Sequence, residues 1–144
     1  MKIDAGLLHA SAKPPSRLAR KLFLVLIILG GVFLRVHLID DLPPSDGYDP
    51  AYYGLDALRI LEGERPVYFA TNFGREPMFS YAVAVFYLIL GPGTLGIHLA
   101  SAYIAILTIP AMFLLSEEFF RSGSRGILRQ WGGLLSALIL SLSY

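Results

Sequence analysis

From Thr94 to Ser116 the chain runs for 23 residues without an Asp, Glu, Lys or Arg. As a helix this stretch measures about 35 Å, enough to cross a hydrocarbon core of about 30 Å. Composition makes that crossing the better reading: of 144 residues, 55% are hydrophobic and 16% charged, too apolar for an ordinary soluble domain. The expected fold class is therefore all-α integral membrane, with about three transmembrane helices and two juxtamembrane or interfacial helices in an external loop. Pro110 is expected to kink the long span.

Three further apolar runs share the chain. Leu22–Ile39 is eighteen residues, near the lower limit for a span, with Arg35 and His37 placed to snorkel toward an interface. A signal peptide also begins with a basic segment, here Lys13, Arg17, Arg20 and Lys21. "RVHLIDD" follows instead of a small-residue cleavage site, so the run reads as a transmembrane helix. Met78–Leu90, thirteen residues between Pro77 and Gly91-Pro92-Gly93, is too short to cross and reads as an interfacial or re-entrant helix. Trp131–Tyr144 stops after fourteen residues, which suggests a truncated third span and a fragment of a longer protein.

Charge orients these pieces. The expected layout is a cytoplasmic basic tail (1–21), a first span (22–39) and an extracytoplasmic loop (40–93) with helices at 50–62 and 78–90. A second span (94–116), a basic turn (117–130) and the third span (131–144) follow. With 78–90 not crossing, Arg121, Arg125 and Arg129 join the N-terminal cations in the cytoplasm, as the bias of Lys and Arg toward that side requires. The expected location is the plasma membrane. A net charge of +1 gives no case for nucleic acid as a partner. The absence of cysteine removes disulfides, thiolate metal sites and a thiol nucleophile.

Eight of the eleven acids, Asp40, Asp41, Asp46, Asp49, Asp56, Glu62, Glu64 and Glu76, lie in the external loop with Arg59, Arg65 and Arg75. Asp49 followed by Pro50 reads as the N-cap of a surface helix ending at Gly63, with Ala51, Leu55, Leu58 and Leu61 as its apolar stripe. A capping role alone would account for Asp49. Downstream, "TNFGREP" brings Asn72, Arg75 and Glu76 to the start of the next helix. Arg75 reads first as a simple ion pair and second as a phosphate ligand, since phosphate oxygens match the guanidinium fork.

The order of these elements carries a resemblance. A first span ending "LRVHLIDDLP" leads to the surface helix "YDPAYYGLDALRILEGERPVY" and the unit "NFGREPMFSYAVAVFYLILGPG". The span "HLASAYIAILTIPAMFLLSEEFF" then enters a basic turn. From about Leu22 onward this resembles the N-terminal part of the GT-C glycosyltransferases, which include protein O-mannosyltransferases and lipid A aminoarabinose transferases. The resemblance implies a polyprenyl-phosphate sugar as donor and places the family's catalytic aspartate on Asp49. It also implies donor or acceptor contacts from Asp46, Asn72, Arg75 and Glu76. Two positions depart from the family: Pro50 stands where Glu is usual, and His98 where arginine is common. Metal dependence and oligomeric state stay open, a divalent metal being one possibility. The alternative function is a small non-enzymatic membrane subunit whose acidic loop binds a partner.

Overall fold

The computed structural model describes residues 16–37, 39, 48–70, 74–123 and 127–143. These form five helices: α1 (Arg17–Val36), α2 (Tyr48–Leu61), α3 (Met78–Leu90), α4 (Thr94–Gly123) and α5 (Ile127–Leu142). Among the described residues the extended pairing is a single antiparallel bridge, Phe69 with Arg75. The chain is all-helical as expected. Among the described residues, α4 is the one helix long and apolar enough to cross a membrane, while α3 and the apolar part of α5 are shorter.

Helix ends follow local chemistry. Ser16 caps α1, its hydroxyl accepting the Ala19 N–H at 3.1 Å, so helix begins inside the expected basic tail, five residues before the apolar run. It stops at Val36, short of the expected Ile39, where His37 turns extended. The α2 helix closes on Gly63 at φ +109°, with Gly63 N–H donating to Ile60 O and Glu64 N–H to Arg59 O, the paired bonds of a glycine-terminated helix. α3 keeps the bounds read from its flanking prolines and glycines, and Gly91 ends it at φ +83°.

Three further boundaries differ from expectation. α2 starts at Tyr48, so Asp49 sits in the first turn and not at the N-cap. Pro50 is tolerated there because the first N–H groups of a helix have no intrahelical acceptor to lose. α4 runs past the expected Ser116 to Gly123, because no glycine or proline interrupts "SEEFFRS" and Glu118 pairs with Arg121 one turn on. α5 begins at Ile127, so helix claims most of the expected 117–130 turn.

Contacts at the helix ends fix their directions. Arg20 near the start of α1 pairs with Glu117 near the end of α4. At the other end of α1, Arg35 donates to the carbonyls of Leu140, Ser141 and Ser143 at 2.9, 2.9 and 3.0 Å, closing the last turn of α5. There too His98, early in α4, reaches Ile39 O at 3.0 Å. α1 and α5 therefore run parallel, and α4 antiparallel to both. Their core is Ile109, Phe113, Leu134 and Ala137, packed by Leu24, Ile27, Ile28 and Trp131. Gly31, Gly132 and Gly133 sit where a side chain would meet Ile109, Phe120 and Glu117, which lets the helices approach closely.

At the end where α4 begins, α2 and α3 form a helical pair with a second core. Ala57, Ile60, Phe69, Val83, Ala84 and Tyr87 pack there with Ile97 and Ala100 of α4. The buried face of α2 is Gly54, Asp56, Ala57 and Ile60. In the expected stripe, Ala51, Leu55 and Leu61 are exposed, and Leu58 alone packs against this core. Small residues decide this, because a side chain at Gly54 would meet the Tyr87 hydroxyl and Ile97. The face without bulk is the one that neighbouring helices can approach.

Candidate functional site

Asp56 is the only carboxylate among the described residues buried to near completion, at 1% exposure. It lies one helical turn beyond Tyr52 and Tyr53 and reaches the edge of the α2–α3 interface, where a charge would be costly without a partner. Arg75 supplies one: Nη2 donates to Oδ2 at 2.6 Å, and the arginine side chain is itself 8% exposed. Arg59, a turn further along α2 and largely exposed, donates to Oδ1 at 3.3 Å.

Arg75 arrives from a tight hairpin. Its N–H donates to Phe69 O at 2.9 Å, and Phe69 N–H donates back to Arg75 O at 3.1 Å. Gly74 before it takes φ +86°, and a side chain at that position would overlap the Tyr68 ring, so the turn needs glycine twice over. The guanidinium carbon stands 5.2 and 4.8 Å from the ring centroids of Tyr52 and Tyr53, within cation–π range. One arginine thus closes the hairpin by a backbone bridge and ties it to α2 by a buried ion pair and two aromatic rings.

Beside this anchor opens a pocket of about 410 Å³ lined by Tyr53, Gly74, Arg75, Glu76, Met78 and Phe79. Tyr53 and Phe79 meet edge to face at 4.8 Å, and the Glu76 side chain is exposed. An aromatic wall, an acceptor-only carboxylate and a glycine backbone together suit a polar ring that donates hydrogen bonds from hydroxyls.

The expected residues distribute as follows. Glu76 and Arg75 come together at the pocket, Arg75 with its Nη2 committed to Asp56. Asp49 is exposed in the first turn of α2, seven residues before Asp56 and so on the same side of the helix, about 10 Å away along its axis. Asp46 and Asn72 lie outside the described residues. Among the described residues no three His, Asp or Glu side chains gather in a way that could hold a metal ion.

Sequence reasoning misses Asp56, Tyr52, Tyr53 and Phe79 as site residues. The signal for three of them is present in the spacing 49, 52, 53, 56, which places two acids and two tyrosines on one helical face. The apolar stripe of α2 points to the other side. Comparison with known proteins adds no further constraint: no protein-family model, curated protein or solved structure matches the chain.

Proposed function

We propose that the chain is the N-terminal part of a GT-C-type membrane glycosyltransferase, with α1, α4 and α5 crossing the plasma membrane and α2–α3 on its extracytoplasmic face. The observation that carries this reading is the polarity of the bundle. Arg17, Arg20 and Lys21 of α1 and Arg121 of α4 fall at one end with Glu117 and Glu118, while Asp49, Asp56, Glu76 and the pocket fall at the other with Arg35, Arg59, Arg65 and Arg75. Lys2, Lys13, Arg125 and Arg129 adjoin the first end in sequence, so eight of the twelve Lys and Arg go with it. That is the arrangement the positive-inside bias produces. Leu22, Val25, Leu29 and Phe33 of α1 and Leu107, Leu114 and Leu115 of α4 are exposed, an apolar surface that acyl chains would cover.

In the proposed reaction the donor is a polyprenyl-phosphate sugar and Asp49 is the general base. Its carboxylate takes the proton of an acceptor hydroxyl, the acceptor oxygen attacks the anomeric carbon, and the bond from that carbon to the phosphate oxygen breaks to release the lipid phosphate. Glu76 and the Tyr53–Phe79 wall are placed to receive hydroxyls and a ring face; Asp46 and Asn72 keep the substrate-contact roles the resemblance implies. Asp49→Asn in the full-length protein, supplied with a polyprenyl-phosphate hexose, abolishes transfer at an unchanged level in the membrane. Undiminished transfer removes the base assignment. A second reading, a non-enzymatic membrane subunit whose acidic loop binds a partner, is favoured by one observation: the Nη2 of Arg75, a natural ligand for a donor phosphate, is already bonded to Asp56. A wild-type full-length protein that binds no polyprenyl-phosphate sugar would favour it.

A further inference from the structure

We infer that Asp56 is a positioning residue: through Arg75 it holds the start of α3 in place as one wall of the Tyr53–Glu76–Phe79 pocket. The ligand side of this inference rests on the glycosyltransferase reading, and the wall geometry stands apart from it.

Three observations converge on Asp56. First, it is not among the residues that line the pocket, whereas Arg75, which bonds it at 2.6 Å, is. Second, Arg75 is followed directly by Glu76 and Pro77, and Pro77 occupies the residue before the first turn of α3. Fixing the arginine therefore fixes the direction in which Glu76, Met78 and Phe79 leave the hairpin. Third, the energetics favour geometry over stability as the reason for the pair. A buried ion pair contributes little beyond what apolar residues of similar size would, yet it tolerates few arrangements because stranding either charge is costly. An apolar contact would let the hairpin slide; a 2.6 Å charged hydrogen bond with rings on the guanidinium does not.

The 144 residues contain no cysteine, so within them an introduced thiol is the sole target of a label. Met78→Cys places one thiol on the pocket rim, where Met78 is 70% exposed, and Glu64→Cys places one on an exposed site outside the pocket. Each is labelled with a water-soluble maleimide in the full chain. Asp56→Asn is expected to raise the labelling rate of the rim thiol about threefold or more and to leave that of the outside thiol unchanged, while Arg59→Gln changes neither. Decaprenyl-phosphate mannose is then added as a protecting probe. Its half-protecting concentration at the rim thiol is expected to rise about tenfold in Asp56→Asn and in Arg75→Gln, with the double variant no weaker than either single, the sign of two residues acting as one.

Unchanged labelling of the rim thiol in Asp56→Asn, or penalties that multiply in the double variant, overturns the inference. Should Asp56→Asn fail to accumulate, Asp56→Asn/Arg75→Gln leaves no stranded charge and replaces it: altered rim labelling supports the inference, and unaltered labelling overturns it. Should the probe fail to protect the rim thiol with Asp56 intact, the glycosyltransferase reading falls, and the labelling rates alone decide the positioning role.

Discussion

Gly30 and Gly31 are neighbours in α1, yet replacing each by alanine should move stability in opposite directions. A Cβ at Gly30 meets nothing within 4 Å, whereas one at Gly31 stands 2.5 Å from Ile109 Cδ1 and 3.4 Å from both Arg35 Nη1 and Ser141 Cβ. Carbon atoms prefer about 3.5–4.0 Å, so Ile109 must retreat by about 1 Å. It is fully buried, with little room to do so. Overpacking of this kind costs about 1–3 kcal/mol. Against it, alanine is favoured over glycine in a helix interior by up to about 1 kcal/mol. Gly30→Ala is thus expected to be neutral or to stabilise by up to about 1 kcal/mol, and Gly31→Ala, after the full propensity gain is subtracted, to destabilise by up to about 2 kcal/mol. The difference between the variants, about 1–3 kcal/mol, is free of the propensity term, which adjacent positions share. Trp131, the sole tryptophan of the chain, packs against this core with its ring 6.2 Å from that of Phe23. Its fluorescence during denaturant titration in detergent micelles reports the transition. Equal midpoints for the two variants would refute the close three-helix approach at Gly31.

Arg35→Ala should destabilise the same transition by about 2–3 kcal/mol, because charged hydrogen bonds to the α5 carbonyls are lost together. Arg35→Lys should recover only part of that loss, since an ammonium lacks the fork that reaches several carbonyls at once. Arg75→Leu leaves Asp56 buried with only Arg59 within reach and should cost about 3 kcal/mol; a loss below about 1 kcal/mol, read from the same titration, would show that water reaches Asp56. Glu118→Ala removes an ion pair whose partners are largely exposed, and its midpoint should shift by less than about 0.5 kcal/mol. Gly91→Ala forces a Cβ into positive φ and should cost about 1–2 kcal/mol although nothing crowds the site.

The candidate site is legible in the sequence only in part. Glu76 and Arg75 stand out because two unlike charges immediately before Pro77 and an apolar run are unusual in sequence. Asp49 stands out because it precedes Pro50, although the helix begins one residue before it. Asp56 is hidden inside "GLDAL", where nothing local distinguishes it from an exposed helical aspartate. Its burial depends on a hairpin that returns nineteen residues later. Glycine and alanine, which hydrophobic patterning passes over, mark the buried face of α2 for the same reason. Burial there reflects the bulk of Tyr87 and Ile97 on the partner helices, which fill the space that Gly54 leaves.

The amino-acid sequence by itself determined the helical character of the chain, the bounds of α3, the stop at Gly63, the start and apolarity of α4, and the segregation of acids into one segment. All of these follow from interactions within a few residues: proline and glycine torsions, capping hydroxyls, and the tally of apolar side chains per turn. Tertiary structure alone decided which face of α2 is buried, that Arg35 closes α5 across more than a hundred residues, and that Arg75 is held by Asp56. Such pairings depend on which surfaces meet once the helices pack, and no local rule specifies where an arginine side chain finds its acceptors.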